Sequence, residues 1–148
     1  MEILICRGIQ GSGKSTFAKD WVAKDSVNRI RLNRDDIRNS FGPYWVPSRE
    51  LLITRVMNDA LKQAIDLGYS VVIDNMNLDK KYFNQLKNTI EEYINPKFLY
   101  QSDPITVSII DFKTPLEECI KRDSLREHPI GEKVIRDTYK KYINFYKE

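Results

Sequence analysis

Histidine and cysteine are nearly absent from this 148-residue chain, which carries one His and two Cys. Cys6 and Cys119 lack CxxC spacing, and each lies in an apolar-periodic segment. That argues against a zinc site and for two buried thiols in a reducing compartment. No apolar run approaches the roughly 20 residues that cross a bilayer. The start, Met1-Glu2-Ile3, lacks the basic region and small-residue cleavage site of a secretion signal. A cytoplasmic protein without membrane engagement is the expectation. Neither sign of charge dominates: 24 Lys plus Arg face 21 Asp plus Glu, a net +3, so any nucleic-acid surface has to be local. Repeats, low-complexity tracts and linkers are missing too, and residues 1–148 are expected to form a single domain with one core.

A phosphate-binding pattern is present. Residues 8–16, GIQGSGKST, fit GxxxxGK[ST] at every fixed position, after the apolar run Ile3-Leu4-Ile5-Cys6 and before a helical pattern with Phe17, Ala18, Trp21 and Val22 on one face. In that context Gly8, Gly11, Ser12, Gly13, Lys14, Ser15 and Thr16 are the expected nucleotide-binding set. Backbone N–H groups turn inward around a phosphate, the helix N-terminus adds positive potential, Lys14 reaches the same oxygens and Ser15 can hold Mg²⁺.

Strand-like segments alternate with helical ones, which indicates an α/β fold with a mostly parallel sheet. Strands are expected at 3–7, 29–32, 70–73 and 105–110. The third has the apolar character of a strand covered on both faces and belongs beside the first, while the fourth alternates so weakly that it reads as central. A helix from Arg49 carries Leu52, Val56, Ala60 and Ile65 near helical spacing and ends at Gly68. Asn77 is the expected N-cap of a helix over about 79–93, stopped by Pro96 and followed by a loop at 95–104. Thr114-Pro115-Leu116-Glu117 combines a Thr N-cap, Pro at the first helical position and a capping-box Glu. The helix it starts bears Arg122 and Arg126 on one face. A last helix over 132–146 lines up Ile135, Tyr139, Tyr142 and Tyr146, a stripe that suits core docking better than base stacking.

The phosphate loop and the ends of strands 2 and 3 all meet at the carboxyl edge of such a sheet, where ligands of open α/β folds bind. Phosphoryl transfer there needs a held donor, charge compensation and an acceptor able to lose its proton. Asp35 can take that proton, and by spacing Asp36 suits equally, each also fitting simple charge compensation at a helix start. Arg38, three residues on, can bind an acceptor phosphate. Asp74 stands where a Walker-B acid belongs, and it can orient Arg38, hold a metal-bound water or cap a turn. Asn75 follows it in place of the glutamate that ATP-hydrolysing machines use to activate water. Arg122 and Arg126 precede a Pro/Gly turn suited to a lid. The aromatic loop 42–48 contains Trp45, which either stacks on a base or anchors the loop in the core.

Assembled, the segments GIQGSGKST, NRDDIR (33–38), VVIDNMNL (71–78) and IKRDSLR (120–126) resemble the kinase domain of the phage-type 5′-OH polynucleotide kinases over nearly the whole chain. The resemblance implies a P-loop kinase-like three-layer α/β fold, with about four parallel strands in the order 2-3-1-4, helices on both faces and a short lid at about 120–131. It implies Lys14, Asp35 and Arg126 as catalytic residues, with Asp35 the general base and Arg126 at the transferring phosphate. Arg122 becomes a second nucleotide contact, and Arg38 and Asp74 become substrate-side residues. ATP as donor, Mg²⁺ on Ser15 and a DNA or RNA 5′-OH end as partner follow from the same likeness. No DxDxT phosphatase motif is present, so a kinase alone is expected. The apparatus would serve equally for a hydroxymethylated base, a nucleoside or a small metabolite, and a nucleotide switch without transfer is the reading from another class.

Overall fold

In the computed structural model, residues 1–98 and 104–148 are described, and the expected loop at 95–104 falls partly outside them. Four parallel strands form one sheet in the order β2-β3-β1-β4, with β1 at Glu2–Arg7, β2 at Arg29–Leu32, β3 at Ser70–Asp74 and β4 at Thr106–Asp111. Strand alternation gives β1 two apolar faces. Ile3 and Ile5, with Val71 and Ile73, pack on α3 (Glu50–Asp66) and α4 (Lys80–Phe98). Leu4, Cys6 and Val72 pack on Ala18, Phe17, Trp21 and Val22 of α1 (Lys14–Ala23). Helices therefore cover both faces, as the fold class requires.

Several elements differ from the pattern-based reading. Strand β4 is not central: it pairs with β1 alone among the described residues, and Val107 and Ile109, in register with Ile3 and Ile5, stay 45% and 46% exposed. Its weak alternation reflects an incompletely covered edge, which periodicity cannot distinguish from double burial. On α3 the buried stripe is Ile53, Met57, Leu61, Ala64 and Ile65: Ile65 is buried as expected, the first three positions are displaced by one from Leu52, Val56 and Ala60, and Leu52 is exposed. The bulkier set at four-residue spacing removes more apolar surface from water. The helix ends as expected in a Schellman arrangement: Gly68, at φ 83°, donates to Ile65 O, and the Tyr69 N–H donates to Ala64 O. Helix α4 runs past Pro96 to Phe98, and its N-cap is Asp79, whose carboxylate accepts the Tyr82 N–H at 3.1 Å. Asn77, the expected cap, sits at φ 52° and donates instead to Cys6 O at 2.7 Å. The last helix is two, α6 (Glu132–Lys141) and α7 (Ile143–Lys147), broken at Tyr142.

Helix α5 (Leu116–Ser124) packs its first turn on the phosphate loop. Ile9 is buried with Cys119 and Ile135, and Tyr139 and Tyr146 lean on this cluster, which makes those two tyrosines core residues. Gly11 adopts φ 76°, and a Cβ there would stand 2.4 Å from the Cys119 carbonyl oxygen. Gly11→Ala is expected to cost about 2 to 4 kcal/mol in urea unfolding, from left-handed strain plus a backbone clash. Gly68→Ala, at φ 83° with nothing within 4 Å, should cost only about 1 kcal/mol. Equal losses would show that α5 yields to the added methyl.

Candidate active site

The phosphate loop is braced by its own side chains and by α5. Lys14 is buried, and its ammonium donates to Ile9 O at 2.8 Å and to Ser12 Oγ at 3.4 Å. Burial pulls its pKa down to about 8; Asp74 and the two thiols oppose that shift, and the Arg126 charge adds to it. Cys6, buried beside Asp74, is pushed up to about 12 and is an inert thiol. The Ser12 carbonyl accepts the Thr114 hydroxyl at 2.8 Å and an Arg122 N–H at 3.4 Å. Both donors pull the Ser12 oxygen toward α5, which turns the Gly13 N–H of the same peptide unit the opposite way.

Thr114 therefore does not cap α5. Pro115 is the N-cap, no side chain bonds the first turn, and the hydroxyl serves the loop. Beside it lies a cleft of about 580 Å³ lined in part by Ser12, Gly13, Thr16, Asp20, Phe112 and Arg122. Arg122 is on α5 and also pairs with Glu118. Arg126 is beyond the helix, whose C-cap is Leu125, and stands 3.8 Å from the Asp123 carboxylate. Asp123 is buried and accepts the Ile130 and Gly131 N–H groups at 3.0 and 2.9 Å, which clips the ends of the 125–131 turn together.

Across the sheet edge, Asn33 caps α2 (Arg34–Ser40) through the Asp36 N–H and donates to Asp74 O at 2.6 Å. The Arg34 N–H donates to Asn75 Oδ1 at 2.9 Å. The two acids that spacing could not separate part here. Asp36 pairs with Arg31, whereas Asp35 Oδ1 accepts Arg38 at 2.7 Å and the Tyr44 hydroxyl at 2.8 Å. Asp35 Oδ2 accepts no hydrogen bond among the described residues. Arg38 is gripped by Glu50 through Nε at 2.8 Å and Nη2 at 3.1 Å, and Glu50 also takes Arg34 at 2.9 Å. The Glu50 hydrogen bonds raise the Arg38 pKa, and those same arginines lower that of Glu50. With three of five guanidinium donors engaged, Arg38 keeps two for a ligand. Trp45 is no core anchor, being 59% exposed. Tyr44 and Glu50 escaped the sequence reading because neither falls in a motif and their partners lie at unremarkable spacings.

Asp74 does not orient Arg38. Its Oδ2 accepts Arg31 at 2.7 Å, and Oδ1, on a residue 1% exposed, has no partner. A buried, acceptor-only oxygen without a donor fits a water on a divalent cation held by Ser15 and nucleotide phosphates. The protein alone offers no such cage: no group of three or more His, Cys, Asp or Glu is suited to a metal among the described residues.

With 30% identity over 143 residues, the chain is similar to L-seryl-tRNA(Sec) kinase of Methanococcus maripaludis, covering 95% of this chain and 52% of that protein. It is 26% identical to a putative bifunctional polynucleotide kinase/RNA ligase of Autographa californica nuclear polyhedrosis virus, over 96% of this chain and 21% of that one. A chain of the Pnkp1/Rnl/Hen1 RNA repair complex superposes with a TM-score of 0.76 at 26% identity, covering 99% of this chain and 44% of its own. The chain thus spans about half or less of the length of these relatives. The APS kinase CysC of Mycobacterium tuberculosis, at 13% identity and a TM-score of 0.58, shares the fold. No helix among the described residues is long and apolar enough to cross a membrane. A match to the AAA domain over residues 3–148 joins the phosphate loop, the 2-3-1-4 sheet and these likenesses: the chain belongs to the AAA domain family and has a P-loop kinase-like fold.

Proposed function

We propose that the protein transfers the γ-phosphoryl group of ATP to the 5′-hydroxyl end of a DNA or RNA strand. The observation that carries this reading is the Asp35–Arg38–Tyr44–Glu50 constellation at the sheet edge that also bears the phosphate loop. A nucleotide switch has no use for a carboxylate held beside an arginine with donors to spare, so transfer to an alcohol is favoured. Polynucleotide kinase and RNA repair names among the relatives support a nucleic-acid end. A second reading, transfer to the seryl hydroxyl of an aminoacylated tRNA, is supported by the 30% identity to L-seryl-tRNA(Sec) kinase.

In this reading Lys14 and the loop N–H groups hold the donor phosphates, and the nucleoside lies toward the cleft beside Thr114 and Arg122. Arg38 fixes the acceptor's adjacent phosphate. Asp35 Oδ2 takes the hydroxyl proton as the new O–P bond forms and the bond from the γ-phosphorus to the bridging oxygen breaks, releasing ADP. Mg²⁺ on Ser15, with a water on Asp74, supplies charge neutralisation when bound. Segment 120–131 acts as the lid and Arg126 faces the transferring group. Among the described residues that arginine has one ion-pair partner, long at 3.8 Å, which leaves its guanidinium available.

Given γ-labelled ATP with a panel of 5′-OH DNA, 5′-OH RNA, seryl-tRNA, free nucleosides and end-blocked hydroxymethylated DNA, label should enter the 5′-OH ends. Label confined to seryl-tRNA would install the second reading. Asp35→Asn should cut transfer at least ~10²-fold with ATP binding kept, and full activity would remove Asp35 as the base.

Two binding measurements probe the donor side. With the Lys14 pKa at about 8 in the free protein, bound phosphates raise it, so above that pH binding must take up a proton. ADP affinity, read by calorimetry, should be level below about pH 8 and fall toward tenfold per unit above it, and Lys14→Arg should flatten the curve. Thr114→Val should weaken ADP binding by about 5- to 30-fold through the lost Ser12 hydrogen bond, with Thr114→Ser restoring it. Unchanged affinity would make that bond incidental.

A further inference from the structure

The 41–46 loop holds three aromatic residues, Phe41, Tyr44 and Trp45, and none is buried. Tyr44 and Trp45 are 50% and 59% exposed, yet neither ring is adrift. The Arg38 guanidinium carbon lies 5.7 Å from the Tyr44 ring centroid and 5.9 Å from that of Trp45. The Tyr44 hydroxyl donates to Asp35. One face of each ring is thus tied to the acceptor-side charges, and much ring surface remains in water, where it is unfavourable.

We infer that Tyr44 and Trp45 form a stacking site for the base of the nucleotide that carries the reacting hydroxyl. The inference rests on the reading given under Proposed function and narrows its acceptor: a ring-bearing end is selected over small alcohols without one. Three features converge on it. The rings adjoin the arginine that would grip the acceptor phosphate, and a base is attached within one nucleotide of that phosphate. Cation–π contact with Arg38 pre-orders the rings, which lowers the entropy lost on binding. A small polyol would meet flat apolar surface where it needs hydrogen-bond donors, whereas every nucleobase presents a π-face. Stacking is also indifferent to base identity, so the site would distinguish an end that has a base from one that lacks it.

The test uses the full chain and two otherwise identical 5′-OH strands, one with a natural first nucleotide and one whose first nucleotide is an abasic tetrahydrofuran. Trp21→Phe leaves Trp45 as the sole tryptophan, so its fluorescence reports binding apart from turnover. The natural strand should quench Trp45 and the abasic strand should not. Trp45→Ala should raise KM for the natural strand roughly 5- to 150-fold, the kinetic equivalent of one stacked base, with Trp45→Phe recovering most of it. The abasic strand should already have the high KM in the wild type and change less than twofold in Trp45→Ala. Equal wild-type KM for the two strands, or equal loss on both in Trp45→Ala, would assign the loop a structural role and overturn the inference while leaving 5′-end phosphorylation standing. Failure of the wild type to phosphorylate either strand would sink the 5′-end reading, and this inference with it.

Discussion

The backbone leaving β3 is the member on which the rest of the site hangs. Gly8 of the phosphate loop donates to Met76 O, and Asn77 donates to the last carbonyl but one of β1. Asn33 and Arg34, at the head of α2, bond Asp74 O and Asn75 Oδ1. Four residues thus fasten the phosphate loop and helix α2 to one strand end. Loops at a sheet edge have few neighbours and would otherwise fluctuate independently, and a misplacement of about 1 Å is enough to cost a hundredfold in a transfer reaction. Asn77 bears the left-handed conformation that this bracing demands, and asparagine tolerates it better than any β-branched residue could.

Charge placement follows from that bracing. Arg31 spans Asp74 and Asp36, drawing one acid of the pair toward the sheet, while Arg38 and Tyr44 draw the other outward. Glu50 holds Arg34 and Arg38 so that two like charges coexist at one edge. Oriented charges that are already partnered need no reorganisation when a phosphate arrives, which is how a site prepares for developing charge.

The phosphate loop and the meeting of three strand ends were legible because each depends on local residue chemistry or on the few connections a parallel sheet permits, whereas the strand order came with the family resemblance. The buried stripe of α3 was read correctly at Ile65 and off by one position at its first three residues, since period 3.6 accepts two adjacent registers and only the facing sheet chooses. Thr114 was assigned to the nearest helix because a capping box is read locally, whereas its partner, Ser12, is distant in sequence. The edge position of β4 and the roles of Tyr44 and Glu50 depend on neighbours that the chain brings together in space, and no spacing rule encodes these.

The contact of Gly11 with the Cys119 carbonyl also orders events in time. Most of the chain lies between these two residues, and during synthesis the phosphate loop leaves the ribosome long before the helix that backs it. Until α5 has emerged and docked, Ser12 lacks both donors that orient its peptide. The geometry of the loop is therefore completed late in synthesis, when residues 114–124 pack against residues 8–16.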